Sequence, residues 1–239
     1  MLVSALRFWN GESEDASAIL ECADYSRGMV DQVLVAINPA DKSDAARKLN
    51  QMTGVEAFTV SPWGKWTPAL NALLYRAGQL GATEILYQST EIRLPTEGLH
   101  KMQSLLGPRV LNVGARLEGH EWCPGENPLN GFTTPYNTCC LWDVDWLSLL
   151  GFLEASNGHF SKNGVREDGV EENLVEALLQ MLHDLQVILT EVPGTSWDNE
   201  FVDPDRAAAH AEKMALKFSR PARQIQRMNI PSGTVIHIP

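Results

Sequence analysis

The chain has 239 residues, 44% hydrophobic and 21% charged, with 18 Gly, 13 Pro and no biased tract. That profile argues against a disulfide scaffold, a collagen-like repeat or a disordered chain, and leaves one large domain or two small ones. With 19 Lys and Arg against 30 Asp and Glu the formal charge is −11, which argues against a nucleic-acid partner because phosphate binding needs a basic surface.

Residues 2–8 read as a strand. A helix is expected from about Glu12, where Glu14 and Asp15 suit a first turn, to a C-cap near Gly28. Residues 33–37 (VLVAI) form a continuous apolar run, the pattern of a strand covered on both faces. Asp41 or Ser43 is expected to cap a helix through Met52, closed by Gly54. Residues 55–60 make a third strand. Thr67 as N-cap and Pro68 at the first helical position open a helix whose apolar stripe is Leu70, Leu73, Leu74 and Ala77. Residues 84–88 make a fourth strand, Pro95-Thr96-Glu97 opens a helix with Leu99, Met102 and Leu106 on one face, and residues 110–113 make a fifth. Strands alternating with helices of this length predict a parallel sheet wrapped on both faces.

Regularity ends there. Residues 116–137, rich in Gly, Pro and Asn, are expected to form a loop or β-ribbon over the sheet, and an excursion of that length is usually functional or disordered. A short helix is expected over 142–150, a polar loop over 156–169 and an amphipathic helix carrying Leu174, Leu178 and Leu182. A strand over 187–192, a polar helix around 204–218 and an apolar run over 234–238 complete the chain. No internal repeat or domain boundary is visible. The expected fold is a single α/β domain, a mainly parallel twisted sheet with helices on both faces and a small antiparallel insertion around 116–141.

The cysteines Cys22, Cys123, Cys139 and Cys140 form no C-x-x-C pair, so no zinc framework is expected. Cys139-Cys140 reads as small apolar residues of a buried strand. His120 and Cys123 make at most half a metal site. No basic segment followed by an apolar core opens the sequence. No uncharged apolar run reaches the roughly 18 residues of a membrane span, so a soluble, cytoplasmic protein is expected.

Five segments follow one another in a familiar order: LVSALRFWN (2–10), VLVAINPADKSD (33–44), GKWTPALNALLYRA (64–77), residues 131–152 ending in Gly151-Phe152, and Gly169-Val170-Glu171-Glu172. Their order and spacing resemble the family-2-type glycosyltransferases, which have the GT-A (nucleotide-diphospho-sugar transferase) fold, over about residues 1–198. The resemblance implies a nucleotide-binding half (1–115), an acceptor-side half (116–200) and a C-terminal helix and tail (201–239). It implies transfer of a sugar from a nucleotide-sugar donor to a hydroxyl acceptor, leaning towards inversion of configuration. The donor would meet Phe8, Asn38, Asp41, Lys65, Asn71 and Ser89. Glu172 would be the catalytic base, with Glu171 beside it. The family's metal-binding Asp-x-Asp motif falls on Gln88-Ser89-Thr90-Glu91, where a single carboxylate stands. Mn²⁺ or Mg²⁺ is therefore expected to bind weakly, through Glu91, and only with the nucleotide present. The eroded motif raises the alternative of a catalytically silent GT-A-fold binding or assembly module.

The residues also have plainer readings. Asn38 and Asp41 lie past a strand's carboxyl end, where open α/β sheets place ligands, yet both also suit an ordinary turn. Trp63, Lys65 and Trp66 suit base stacking and phosphate contact, or a hydrophobic lid. Asn71 points to the diphosphate or simply fixes packing. Glu171 and Glu172 would be favoured by the helix dipole alone. Asp143-Val144-Asp145 is a literal Asp-x-Asp but reads as a helix cap rather than a metal site. Lys213, Lys217, Arg220, Arg223 and Arg227 read as a solvated helix face, with contact to an anionic donor or a membrane surface as the alternative.

Overall fold

The computed structural model of the chain describes residues 1–9, 15–157, 159–160, 166–167, 170–197 and 219–239. Strand β1 (Leu2–Phe8) and β2 (Gln32–Ile37) pair in parallel, Ala5 opposite Leu34, with helix α1 (Ser17–Ser26) crossing between them. The short helix α2 (Ala45–Leu49) leads to β3 (Val55–Thr59), parallel to β2. Helix α3 (Thr67–Gln79) leads to β4 (Glu84–Gln88), which pairs with the other side of β1. Val33, Leu34, Val35 and Ala36 are all fully buried, as a run without polar alternation requires when helices cover both faces.

The chain continues through β5 (Ile92–Arg93), α4 (Thr96–Leu105), β6 (Val110–Ala115), β7 (Gly125–Pro128), β8 (Cys139–Asp143) and α5 (Val144–Ser148). A 3-10 turn (Glu154–Asn157) and the two-residue strands β9 (His159–Phe160) and β10 (Arg166–Glu167) precede α6 (Glu171–His183). Then come β11 (Gln186–Thr190), β12 (Ser196–Trp197), α7 (Ser219–Met228) and β13 (Thr234–Ile238). Nine strands form one sheet in the order β3-β2-β1-β4-β8-β6-β11-β13-β7, and the pairs β9/β10 and β5/β12 form small ribbons. The sheet is mostly parallel, as expected. β8 runs antiparallel between β4 and β6, and β7 antiparallel to β13 at one edge.

The direction of β8 positions the cleft. Its first residues lie where β4 ends, and Ser89 N–H donates to Thr138 O at 3.0 Å. The segment entering β8 therefore meets the carboxyl ends of β1 and β4, the edge where open α/β sheets place ligands.

Several local expectations shift. Trp142 belongs to β8 and is fully buried, so α5 starts only at Val144, after Asp143, whose Oδ1 accepts the Trp146 N–H at 2.9 Å. That is the cap reading of the Asp-x-Asp. Thr67 lies inside α3 and does not cap it. Asn157 Oδ1, from the 3-10 turn, accepts the N–H groups of Trp66 and Thr67 at 3.2 and 3.3 Å. Helix α2 shrinks to five residues because Asp44, at its start, sits at φ 55° and Ser43 Oγ donates to Asp41 instead of capping. Cys139 and Cys140 are buried strand residues. His120 is held by backbone: its Nδ1 lies 2.9 Å from Leu117 N and its Nε2 2.9 Å from Thr134 O. It stacks on Tyr136 with ring centres 3.8 Å apart, pinning the 116–137 excursion rather than offering a metal ligand. The expected helix start at 12–14 and the helix over 204–218 lie outside the described residues. Among the described residues no helix is long and apolar enough to cross a membrane.

Candidate functional site

A cleft of about 230 Å³ opens at the carboxyl ends of β1 and β4. Ala5 and Arg7 of β1, Gln88 and Ser89 at the end of β4, Asn137 before β8, Glu171 and Glu172 at the start of α6, and Arg220 of α7 line it, with Trp66, Tyr87 and Tyr136 as aromatic walls. The pleat of β1 decides which of its side chains take part. Successive residues point to opposite faces, so Ala5 and Arg7 face the cleft while Leu6 and Phe8 pack with Ile19, Val35 and Ile37 on the other side.

Helix α6 carries the acids. Glu172 is 5% exposed and accepts the Asn137 N–H at 2.6 Å through Oε1. Burial, reinforced by the neighbouring Glu171 charge, pushes its pKa up to about 8 even though the Asn137 bond favours the ionised form. Glu176, one helical turn on, is fully buried and accepts from Thr134 Oγ1 at 2.5 Å and Asn112 Nδ2 at 2.7 Å. Burial outweighs those bonds and pushes its pKa up to about 7. Glu176 thereby ties α6 to β6 and to the excursion behind the cleft wall.

Buried polar atoms of the cleft residues that make no hydrogen bond within the described residues include Arg7 Nε, Gln88 Oε1, Ser89 Oγ and Asn137 Nδ2. Buried polar groups are normally paired, so such a cluster marks a place where a polar ligand can complete the bonding. Asn137 is otherwise fixed, its Oδ1 accepting from Trp142 Nε1 at 2.9 Å.

Of the nine residues singled out from the sequence, Ser89, Glu171 and Glu172 line the cleft together. The others stand elsewhere. Phe8 is core. Asn38 Oδ1 accepts from Ala40 N–H at 2.9 Å and Asp41 accepts from Ser43 Oγ at 2.8 Å, so both shape the turn after β2. Lys65 Nζ lies 4.6 Å from the Trp66 ring centre. Asn71 brackets the Phe152 backbone, donating to its carbonyl and accepting from its N–H, each at 2.8 Å. That is the packing reading of Asn71, and it explains why the adjacent Gly151, at φ +63°, has no room for a Cβ. Glu91 lies outside the cleft lining, within electrostatic reach of Cys22.

Three contributors stand outside those nine. Arg7 was visible as a lone charge in an apolar strand, two residues from the cleft-facing Ala5. Glu176 was visible as an acid on the apolar face of α6. Arg220 stood in the basic run of the tail; it is 8% exposed and lines the cleft, which goes against the solvated-face reading of that run, while Lys213 and Lys217 lie outside the described residues.

A divalent ion fits this donor set poorly. Among the described residues, nowhere do three or more His, Cys, Asp or Glu side chains converge to hold one. The cleft's own charges include two guanidinium groups, which repel a cation.

Solved structures share this fold. Glucosyl-3-phosphoglycerate synthase from Mycobacterium tuberculosis in complex with Mn²⁺, UDP and glucosyl-3-phosphoglycerate aligns at TM-score 0.57 and 14% identity, over 96% of this chain and 80% of that one. Its complex with phosphoglyceric acid aligns at 0.56 and 13%, over 96% and 80%. Its complex with Mn²⁺ and UDP-glucose aligns at 0.53 and 12%, over 99% and 87%. The fold is that of the GT-A nucleotide-sugar transferases. No protein-family model matches the chain, and no curated protein matches it.

Proposed function

We propose that this chain is a glycosyltransferase, moving a sugar from a nucleotide-diphospho-sugar to an acceptor hydroxyl with inversion of configuration. One observation carries the reading: a buried carboxylate, Glu172, lines the strand-end cleft of a GT-A fold beside unpartnered polar atoms. In this mechanism the acceptor oxygen attacks the anomeric carbon, the bond to the diphosphate breaks with its electron pair, and the acceptor proton passes to Glu172. A carboxylate lifted out of its usual range is a stronger base once ionised. Asn137 holds Glu172 in place through its backbone N–H. Glu171 sits next to it at the helix start and keeps its pKa high. No step is assigned to a metal, since the described residues do not supply its ligands.

Thermal-shift screening against UDP-, GDP-, CMP- and dTDP-sugars, with and without Mn²⁺, tests donor binding. Turnover, with phosphoglyceric acid among the acceptors tried, tests the chemistry. Glu172→Gln should retain nucleotide-sugar binding and abolish turnover. The wild-type kcat/KM should rise with pH to a plateau above about 8, as Glu172 loses its proton. Binding without turnover of any acceptor would favour the silent binding module, a reading supported by the single carboxylate left in the Gln88–Glu91 stretch. No nucleotide-sugar binding at all would refute the transferase.

A further inference from the structure

Two arginines reach the cleft from opposite ends of the chain. Arg7 comes from β1, buried deeply enough that its guanidinium holds its proton less tightly than usual, an effect the Glu171 charge partly offsets. Its carbon Cζ lies 5.3 Å from the Trp63 ring centre, and its Nε makes no hydrogen bond among the described residues. Arg220 comes from α7 and is buried as well. Among the described residues, the charged groups of the cleft lining are these two arginines, Glu171 and Glu172. Two guanidinium groups lining one cleft beside the unpartnered Ser89 Oγ and Asn137 Nδ2 make a donor set suited to an anion.

We propose that Arg7 and Arg220 clamp the donor's diphosphate directly and supply the charge compensation that a divalent ion would otherwise give, so that donor binding needs no metal. The proposal rests on the cleft being the donor site, as argued above. Guanidinium forks match phosphate oxygens in pairs, and a mobile ion is unnecessary where two such forks converge. Ser89 Oγ and Asn137 Nδ2, both unpartnered at the same wall, add neutral donors. The clamp also accounts for the loss of carboxylates from the Gln88–Glu91 stretch: acids placed there would repel the diphosphate if no cation stood between them.

The test is calorimetric titration of the full chain with UDP and with uridine, in EDTA and in Mn²⁺, repeated with GDP, CDP and dTDP if UDP gives no heat. The expected result is nucleoside diphosphate binding in EDTA within about threefold of that in Mn²⁺, a difference of well under 1.4 kcal/mol. Arg7→Met and Arg220→Met should each weaken the diphosphate roughly tenfold to a hundredfold and leave the nucleoside unchanged, the loss expected of one charge-assisted contact. Diphosphate binding that requires Mn²⁺ would overturn the clamp and leave the donor site standing, and this measurement needs no variant to fold. Arginine variants that bind the diphosphate as wild type but lose phosphoglyceric acid would also overturn it, assigning the arginines to an anionic acceptor. No nucleoside diphosphate binding under either condition would overturn the donor-site reading itself.

Discussion

Replacing Glu176 with Gln probes how the buried acids of α6 set the pH response of stability. The side chain is fully buried, and its pKa stands at about 7 against an ordinary 4.5. A carboxyl whose folded pKa is raised contributes fully below the unfolded value, and that contribution is lost as pH rises through the folded one. Between 4.5 and about 7 the unfolded chain releases this proton while the folded chain keeps it. Each pH unit in that window removes about 1.4 kcal/mol, or about 3 kcal/mol across it. Gln is neutral throughout and keeps a carbonyl for Asn112 and an amide for Thr134, whose hydroxyl can turn to accept. Urea denaturation from pH 5 to 9 should therefore show Glu176→Gln close to wild type at pH 5. By pH 8 the variant should be the more stable, by about 2–3 kcal/mol after about 1 kcal/mol is allowed for altered hydrogen bonding. The wild-type slope between pH 5 and 7 should be steeper than the variant's by one proton. Equal slopes would refute the reasoning, because they would mean that Glu176 does not hold its proton in the folded chain.

Gly114→Ala should destabilise the fold by about 1–3 kcal/mol in urea, because an added Cβ would meet the Pro135 Cβ at 2.5 Å and its Cα at 2.9 Å, backbone that cannot swing aside. A loss below a few tenths would mean that β6 and the excursion are not in that contact. Asn157→Ala removes the cap of α3 and should cost about 1–2 kcal/mol, with Asn157→Asp recovering part of it through its remaining carboxylate acceptor. An unchanged urea midpoint in Asn157→Ala would show that α3 starts without help from the 3-10 turn.

The sheet was legible because its signals are local. Continuous apolar runs such as VLVAI, short and rich in β-branched residues, read as strands covered on both faces, and the Gly and Pro punctuation between them marks the helices. What the sequence hid was contact across distance. The cap of α3 was read at Thr67, the nearest suitable residue, whereas the acceptor is Asn157 on the opposite side of a long excursion. Trp142 was read as the start of a short helix over 142–150; its place between β4 and β6 makes it a strand residue. Glu171 and Glu172 stood out as two carboxylates opening an amphipathic helix, and both line the cleft, while Glu176, on the apolar face, did not stand out. Arg7 stood out as a charge in an apolar strand and Arg220 as part of a basic run, but nothing in a linear reading brings β1 and α7 to the same cleft. Asn38, Asp41 and Asn71 were read for ligand contact or for turn and packing, and their side-chain bonds satisfy the second of these readings.

The antiparallel β8 divides the sheet into two wings with different folding histories. In one wing β1, β2 and β3 pair across short stretches of chain, Val3 with Gln32 and Val33 with Val55, whereas in the other Ala115 meets Thr190 and Pro128 meets Thr234. Pairings of short sequence separation form faster than distant ones. Strands β1 to β3 should therefore assemble early, while β4, whose Glu84 meets Leu2, and the pairings of β11 and β13 come later, with β8 as the seam between them. Arg7 belongs to the early strands, and Ser89, Glu172 and Arg220 to later elements, so the early strands alone do not form the cleft. In a refolding experiment the far-UV signal should recover ahead of nucleotide binding, and affinity for the ligand would be the last property the chain acquires.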